Sequence, residues 1–234
     1  MIIVIIIVIL ISICIKYSLD LRKINHSAEL IQLQNPNHIE INEIIEKKSP
    51  LIIHNLASKY LDFENKSIKE LVKDNPGYIV IDKNKHTLLS SFNEDGNHKV
   101  IENSNMIGDL NFKVKLDSIS NNFKNKLTCN LNHAISLLKG KYSISLLQNK
   151  HDNLLYTQLS GYTTFFLFNP KHKIEIQNKN NNEIKKWGFK IILKPGVILS
   201  IPPEWYYIYE SVDESIVFSS YYDSYFTYFY NLLK

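Results

Sequence analysis

The sequence predicts a mainly β jelly roll with N-terminal helical decorations and an N-terminal transmembrane helix. Three observations carry this reading. After Tyr142, short apolar segments follow one another at close spacing, about eight of them in ~80 residues, which is the strand count of a jelly roll. Aromatic residues make up 12% of the chain, with 14 Tyr and 11 Phe, and these side chains suit a half-buried pleated surface. Residues 1–15, MIIVIIIVILISICI, form an almost unbroken apolar run closed by Lys16.

As a helix that run reaches about 22 Å at ~1.5 Å per residue, short of a hydrocarbon core of ~30 Å; letting Lys16 snorkel and counting to Leu19 closes most of the gap. A cleaved signal peptide is the rival, but a basic segment before the apolar core and a small-x-small cleavage site are missing. A buried strand is the third option. Residues 1–19 are therefore expected to anchor the chain in a membrane by a single pass. Lys16, Arg22 and Lys23 all follow the run, which places the body on the cytosolic side. The sequons Asn25-His26-Ser27 and Asn65-Lys66-Ser67 point the other way, but carry little weight in so Asn-rich a chain.

Residues 20–38 are polar and patternless and read as a linker. A short helix is expected over Ile39–Lys47, a buried strand over Ser49–Leu56, and a helix over Asn65–Pro76. Ser67 caps that last helix, Glu70 completes a capping box, and Pro76-Gly77 stops it. Strands follow at Tyr78–Asp82 and around Lys99–Ile101, and Asn132–Lys139 reads as a short helix ended by Gly140. The run of strands is then Tyr142–Leu147, Asn153–Leu159, Thr163–Phe168, Lys173–Gln177, Phe189–Leu193, Val197–Ile201, Trp205–Glu210 and Ser215–Tyr222. Pro195-Gly196 supplies a tight turn, and Pro202-Pro203 forces the chain out of the sheet. The Asn-Lys tract 178–182 reads as a polar hairpin tip. One domain, 39–222, is expected. Residues 223–234 form an aromatic helix packed on the barrel, within a stretch, Tyr221–Lys234, that also suits a protein partner, self-association or a membrane interface.

The net charge of +4 is spread along the chain and does not predict nucleic-acid binding. Cys14 and Cys129 have no Cys or His at metal-ligand spacing, which argues against a disulfide framework and a zinc site. A Gly-rich phosphate loop, a Gly-x-Ser-x-Gly elbow and a His-Glu-x-x-His pair are all absent.

Two blocks, Asn153–Pro170 (NLLYTQLSGYTTFFLFNP) and Leu193–Ile208 (LKPGVILSIPPEWYYI), together with SPLIIHNL at 49–56, resemble the JmjC/cupin-like family. That family is built as a double-stranded β-helix, and many members are Fe(II)- and 2-oxoglutarate-dependent hydroxylases or demethylases. The resemblance implies metal ligands at Leu147, Asn149 and Tyr207, where the family carries His, Asp and His. It places the cosubstrate-gripping Lys at Thr163. Leucine has no lone pair, an amide replaces the carboxylate, and a neutral phenol is a weak ligand. No cofactor is therefore expected, with Fe(II) and 2-oxoglutarate as the alternative. His151, close to the expected ligand, is the candidate for a relocated one; His26, His38, His54, His86, His98 and His133 show no paired spacing. With Asn153, Tyr156, Thr163 and Trp205, His151 makes up the candidate pocket. The expected function is a membrane-anchored binding or scaffold module without iron-dependent catalysis; an atypical oxygenase and a structural jelly-roll protein are the alternatives.

Overall fold

The computed structural model describes residues 2–22, 25, 29–62, 67–82, 85–94, 96–124, 127–177 and 179–232. In chain order the elements are α1 (Ile2–Arg22), β1 (Ile31–Gln34), α2 (His38–Glu46), β2 (Leu51–His54), α3 (Ile68–Asp74), β3 (Ile79–Asp82), β4 (Lys85–Leu88), β5 (His98–Asn103), α4 (Asn105–Asp109), α5 (Lys113–Ser120) and β6 (Thr128–Lys139). They continue with β7 (Tyr142–Ser143), β8 (Leu147–Gln148), β9 (Asn153–Ser160), β10 (Thr163–Phe168), α6 (Lys173–Gln177), α7 (Asn181–Ile184), β11 (Phe189–Leu193), β12 (Ile198–Ile201), β13 (Tyr206–Ser211), β14 (Ser215–Ser224) and α8 (Tyr225–Leu232).

Two sheets face each other. The larger runs β1-β2-β12-β9-β14-β6-β5, and the smaller runs β11-β10-β13-β7, with β8 also on β13. From β6 onward the chain alternates between them, turning back within the smaller sheet only at β10–β11. This mostly β arrangement is compatible with a jelly roll. The core lies in three layers. Leu138, Leu154, Tyr156, Phe165, Leu167, Leu199, Trp205, Tyr207 and Tyr209 fill the space between the sheets. Helices α2–α5 cover the outer face of the larger sheet through residues such as Ile41, Leu71, Met106 and Leu116, in one cluster with Ile135 of β6. A small cluster of Phe166, Phe168, Ile176, Ile184, Tyr206 and Ile208 covers the other side of the smaller sheet.

The strongest local signals appear as read. Ser67 and Glu70 form a capping box on α3; a second box that was not expected, Asn37 with Glu40, starts α2. Gly196 adopts a left-handed φ of 82° in a turn closed by a Val197 N–H donating to the Lys194 carbonyl at 3.0 Å. After Ile201 the chain leaves the sheet at Pro202-Pro203 and re-enters at Tyr206.

The strand expected over Tyr142–Leu147 is split into β7 and β8; β4, α4 and α5 were not expected; and four further segments differ. Asn132–Lys139 is not a helix but part of β6, the longest strand. Its apolar residues mimic helical spacing because both strand faces are buried: Ile135 and Leu137 pack toward the helices, Leu138 toward the smaller sheet. Lys173–Gln177 is α6, not a strand. Its alternation is misleading, since Ile176 is buried whereas Ile174 is exposed, and Asn169-Pro170 starts a helical turn just before it. The hairpin tip is accordingly a helical excursion between β10 and β11. Within the expected linker, Ile31–Gln34 forms edge strand β1, parallel to β2, with Ile31 and Leu33 packed on the core.

At the N-terminus, α1 spans 21 residues and lies against α8; its side chains from Val4 to Ile11 are exposed. The side chains of residues 16–18, needed for the longer apolar count, lie outside the described set. Among the described residues no helix is long and apolar enough to cross a membrane. The expected transmembrane helix is thus without support in the fold, and anchoring returns below as a proposal. Sequon positions 26, 27, 65 and 66, residue 178 of the Asn-Lys tract, and residues 233–234 also lie outside the described set.

Candidate functional site

β8 and β13 pair so that Leu147 stands opposite Tyr207. Alternation along β13 turns Tyr206 and Ile208 outward to the small cluster, and Tyr207 and Tyr209 inward between the sheets. Two of the three positions implied as ligands, Leu147 and Tyr207, are therefore neighbours at one end of the barrel. Neither offers a metal a good donor. Leu147 packs on the inter-sheet core. Tyr207 is buried, its hydroxyl 3.2 Å from that of Tyr156. Burial raises its pKa above the ordinary phenol value, and the charge of Glu102 adds to that. A phenol held protonated is a poor metal ligand.

Asn149 does different work. It is 1% exposed, and its Nδ2 donates to the carbonyls of Ile201 (2.8 Å) and Pro202 (3.0 Å). Its Oδ1 accepts from the His151 backbone N–H at 2.9 Å. The Asn149 backbone bonds Trp205 and Glu204 as well. The side chain thus fastens β8 to the Pro-Pro break, with both of its amide N–H groups used. A non-haem iron centre does not fit this set of donors.

A cavity of about 280 Å³ opens at this end of the barrel, lined among others by Glu102, Lys150, His151, Tyr207, Ser219 and Tyr221. Glu102 reaches it from an irregularity in the β5–β6 pairing, between Val100 and Asn103. Its φ is 49°, a left-handed conformation rare outside glycine, and its N–H donates to Ser136 Oγ at 2.9 Å. The residue is exposed as a whole, but its carboxyl group turns inward to 3.5 Å from the Tyr156 hydroxyl, at the outer limit of a hydrogen bond. Burial of the carboxyl raises its pKa, against the opposing influence of Tyr156 and His151. Tyr156, wholly enclosed, also has its pKa raised by burial, and the neighbouring tyrosines add to it.

His151 is held from two sides. Nδ1 lies 3.0 Å from Asp223 Oδ2, and the ring stacks on Tyr221 at 3.9 Å between centroids. Nε2 takes no part in that bond. Of the other candidate-pocket residues, Tyr156 is fully buried behind the lining and meets the Tyr207 hydroxyl, whereas three sit elsewhere. Asn153 faces the helical layer, bonded to the Tyr222 hydroxyl and Ser200. Thr163 bonds Ser215 Oγ at 2.8 Å, toward the opposite end of β10 from Tyr207's neighbour Leu167. Trp205 is buried in the inter-sheet core, its ring near Phe189.

Asp117, His133 and Ser220 also assemble, His133 Nε2 lying 3.0 Å from Asp117 and Nδ1 2.7 Å from Ser220 Oγ. These are the residue types of a nucleophilic triad, but Ser220 is buried at 4% exposure and does not line the cavity, so the network ties α5 to the sheet. Sequence reading missed Glu102, Asp223 and this network. Nothing local marks Glu102, whose role comes from its bulge; His133 was hidden by the helical reading of its strand.

No family model matches the chain, and no curated protein does. Among solved structures, the crystal structure of a cupin superfamily protein from Desulfitobacterium hafniense is similar at 12% identity, covering 43% of this chain and 72% of that one, with a TM-score of 0.31.

Proposed function

We propose that this chain is a JmjC-related, cupin-like double-stranded β-helix that acts as a binding module without iron chemistry, held at a membrane through residues 1–19. One observation supports this above the others. At the positions where the family holds its metal, Leu147 packs, the amide of Asn149 is spent on two carbonyls, and the phenol of Tyr207 is paired with Tyr156. Each retains a shape-giving role, and none presents a carboxylate or an imidazole to a metal. Anchoring is supported by the exposed apolar side chains of α1 and by the exposed Tyr225, Phe229 and Leu232 of the adjoining α8.

An oxygenase with relocated ligands draws on His151 beside Asp223. Those two groups are hydrogen-bonded to each other, and among the described residues no group of three His, Cys, Asp or Glu could hold a metal ion.

The full chain, purified in detergent, is reconstituted with Fe(II) under anaerobic conditions, analysed for metal, and assayed for succinate formation from 2-oxoglutarate. The expected result is iron well below one equivalent and no succinate; stoichiometric iron with turnover overturns the reading. For the anchor, the full chain is expected in the carbonate-washed membrane fraction, and a chain lacking residues 1–19 outside it. Full-length protein in the supernatant refutes anchoring.

A further inference from the structure

The metal-free reading leaves a cavity at the barrel end without an assigned occupant. Resting on that reading, we infer that this cavity binds a small, neutral, polyhydroxylated ligand of about monosaccharide size, held between the carboxyl of Glu102 and the imidazole of His151.

Size is the first argument. At about 280 Å³ the cavity sits at the lower edge of the roughly 300–1,000 Å³ usual for small-molecule sites, so a cofactor-sized ligand does not fit. Charge is the second. Glu102, Lys150 and His151 all line the cavity, and Asp223 is hydrogen-bonded to His151. An anion entering meets the carboxyl of Glu102, and a cation meets Lys150. A neutral hydroxyl escapes both conflicts, because it donates to one partner and accepts from the other at once.

Preorganisation is the third argument. Glu102 keeps a left-handed φ that is costly for a residue with a side chain, and such strain persists where the surroundings enforce it. Here the pairing irregularity and the bond to Ser136 hold the backbone, and the carboxyl lies 3.5 Å from the buried Tyr156 hydroxyl in the lining of the cavity. The His151 ring is fixed by Asp223 and by stacking on Tyr221, which leaves its Nε2 edge for a ligand. The Tyr207 phenol and Ser219 add hydroxyl groups to the lining, while Ala134 and Leu154 supply apolar surface for the carbon face of a polyol.

The test is calorimetric titration of the full chain in a detergent without a sugar headgroup. The neutral probes are glucose, mannose, galactose and myo-inositol; phosphate and 2-oxoglutarate serve as anions and ethanolamine as the cation. At least one neutral polyol is expected to bind, more tightly than every charged probe. Glu102→Gln and His151→Ala should each weaken that binding at least tenfold, and His172→Ala, on the exposed turn before α6, should leave it unchanged. Melting curves identify any variant that fails to fold, in which case the other decides. Absence of binding by all four polyols, preference for a charged probe, or unchanged affinity in a folded E102Q protein overturns the inference. Iron loading with succinate formation would instead overturn the reading beneath it, so the two failures are distinguishable.

Discussion

Replacing Asn149 by Asp installs the carboxylate that the resemblance to JmjC/cupin-like proteins implied for this position, and the structure predicts that it harms the protein. The wild-type amide donates two hydrogen bonds, to the carbonyls of Ile201 and Pro202, from a side chain that is 1% exposed. An ionised carboxylate has no proton for either carbonyl and sets its own charge against both oxygens. A buried polar group left unpaired costs about 1–3 kcal/mol, so two of them, taken near the lower end because carbonyls keep some compensation, amount to about 3 kcal/mol at pH 7. For a domain of this size that corresponds to a fall in Tm of roughly 6–12 °C. Burial and the facing carbonyls raise the pKa of the introduced carboxyl above its unfolded value of about 3.9. The folded state then binds more protons than the unfolded state between those two values, so the deficit relative to wild type is small near pH 4. It grows as pH rises to the folded pKa and is constant above it. Urea denaturation of both proteins from pH 4 to 8, followed by tryptophan fluorescence, measures this. An N149D protein as stable as wild type at pH 7, or a deficit that does not change with pH, refutes the assignment of Asn149 as a fastener.

Gly161 sits at φ 68°, and a Cβ there would lie 2.0 Å from the Glu214 carbonyl oxygen, so Gly161→Ala should cost about 3 kcal/mol or more; a fall in Tm under about 2 °C would contradict this. Tyr207→Phe removes the hydroxyl that meets Tyr156 and should cost only about 1 kcal/mol while the fold persists, read from the same urea curves. Burial lowers the pKa of His133, which therefore remains neutral when the unfolded chain begins to protonate near pH 6.5. Stability from this residue is present above that pH and lost as pH falls below it, and His133→Asn should flatten that part of the profile. For its partner Asp117, burial works upward on the pKa, but the bonds from His133 and Lys113 bring it down. Asp117→Asn should accordingly remove stability at neutral pH and have little effect at pH 2.

Local chemistry was legible in the sequence wherever a residue type forces a conformation. Ser67 with Glu70 started a helix, Pro195-Gly196 made a turn, Pro202-Pro203 broke a strand, and the apolar runs at 163–168 and 189–193 formed β10 and β11. Periodicity failed where burial on both faces erased it, as in β6, and where a short alternating segment was exposed on one side, as in Lys173–Gln177. At the positions that the resemblance implied as ligands, the residue types Leu147, Asn149 and Tyr207 were visible in the sequence. What those side chains do instead was decided by tertiary structure. Asn149 finds its carbonyls 52 and 53 residues away, Tyr207 meets Tyr156 between the sheets, and a pairing irregularity brings Glu102 into the same cavity lining as His151. Strand pairing joins residues distant in sequence, and no local pattern encodes which of them will share a cavity.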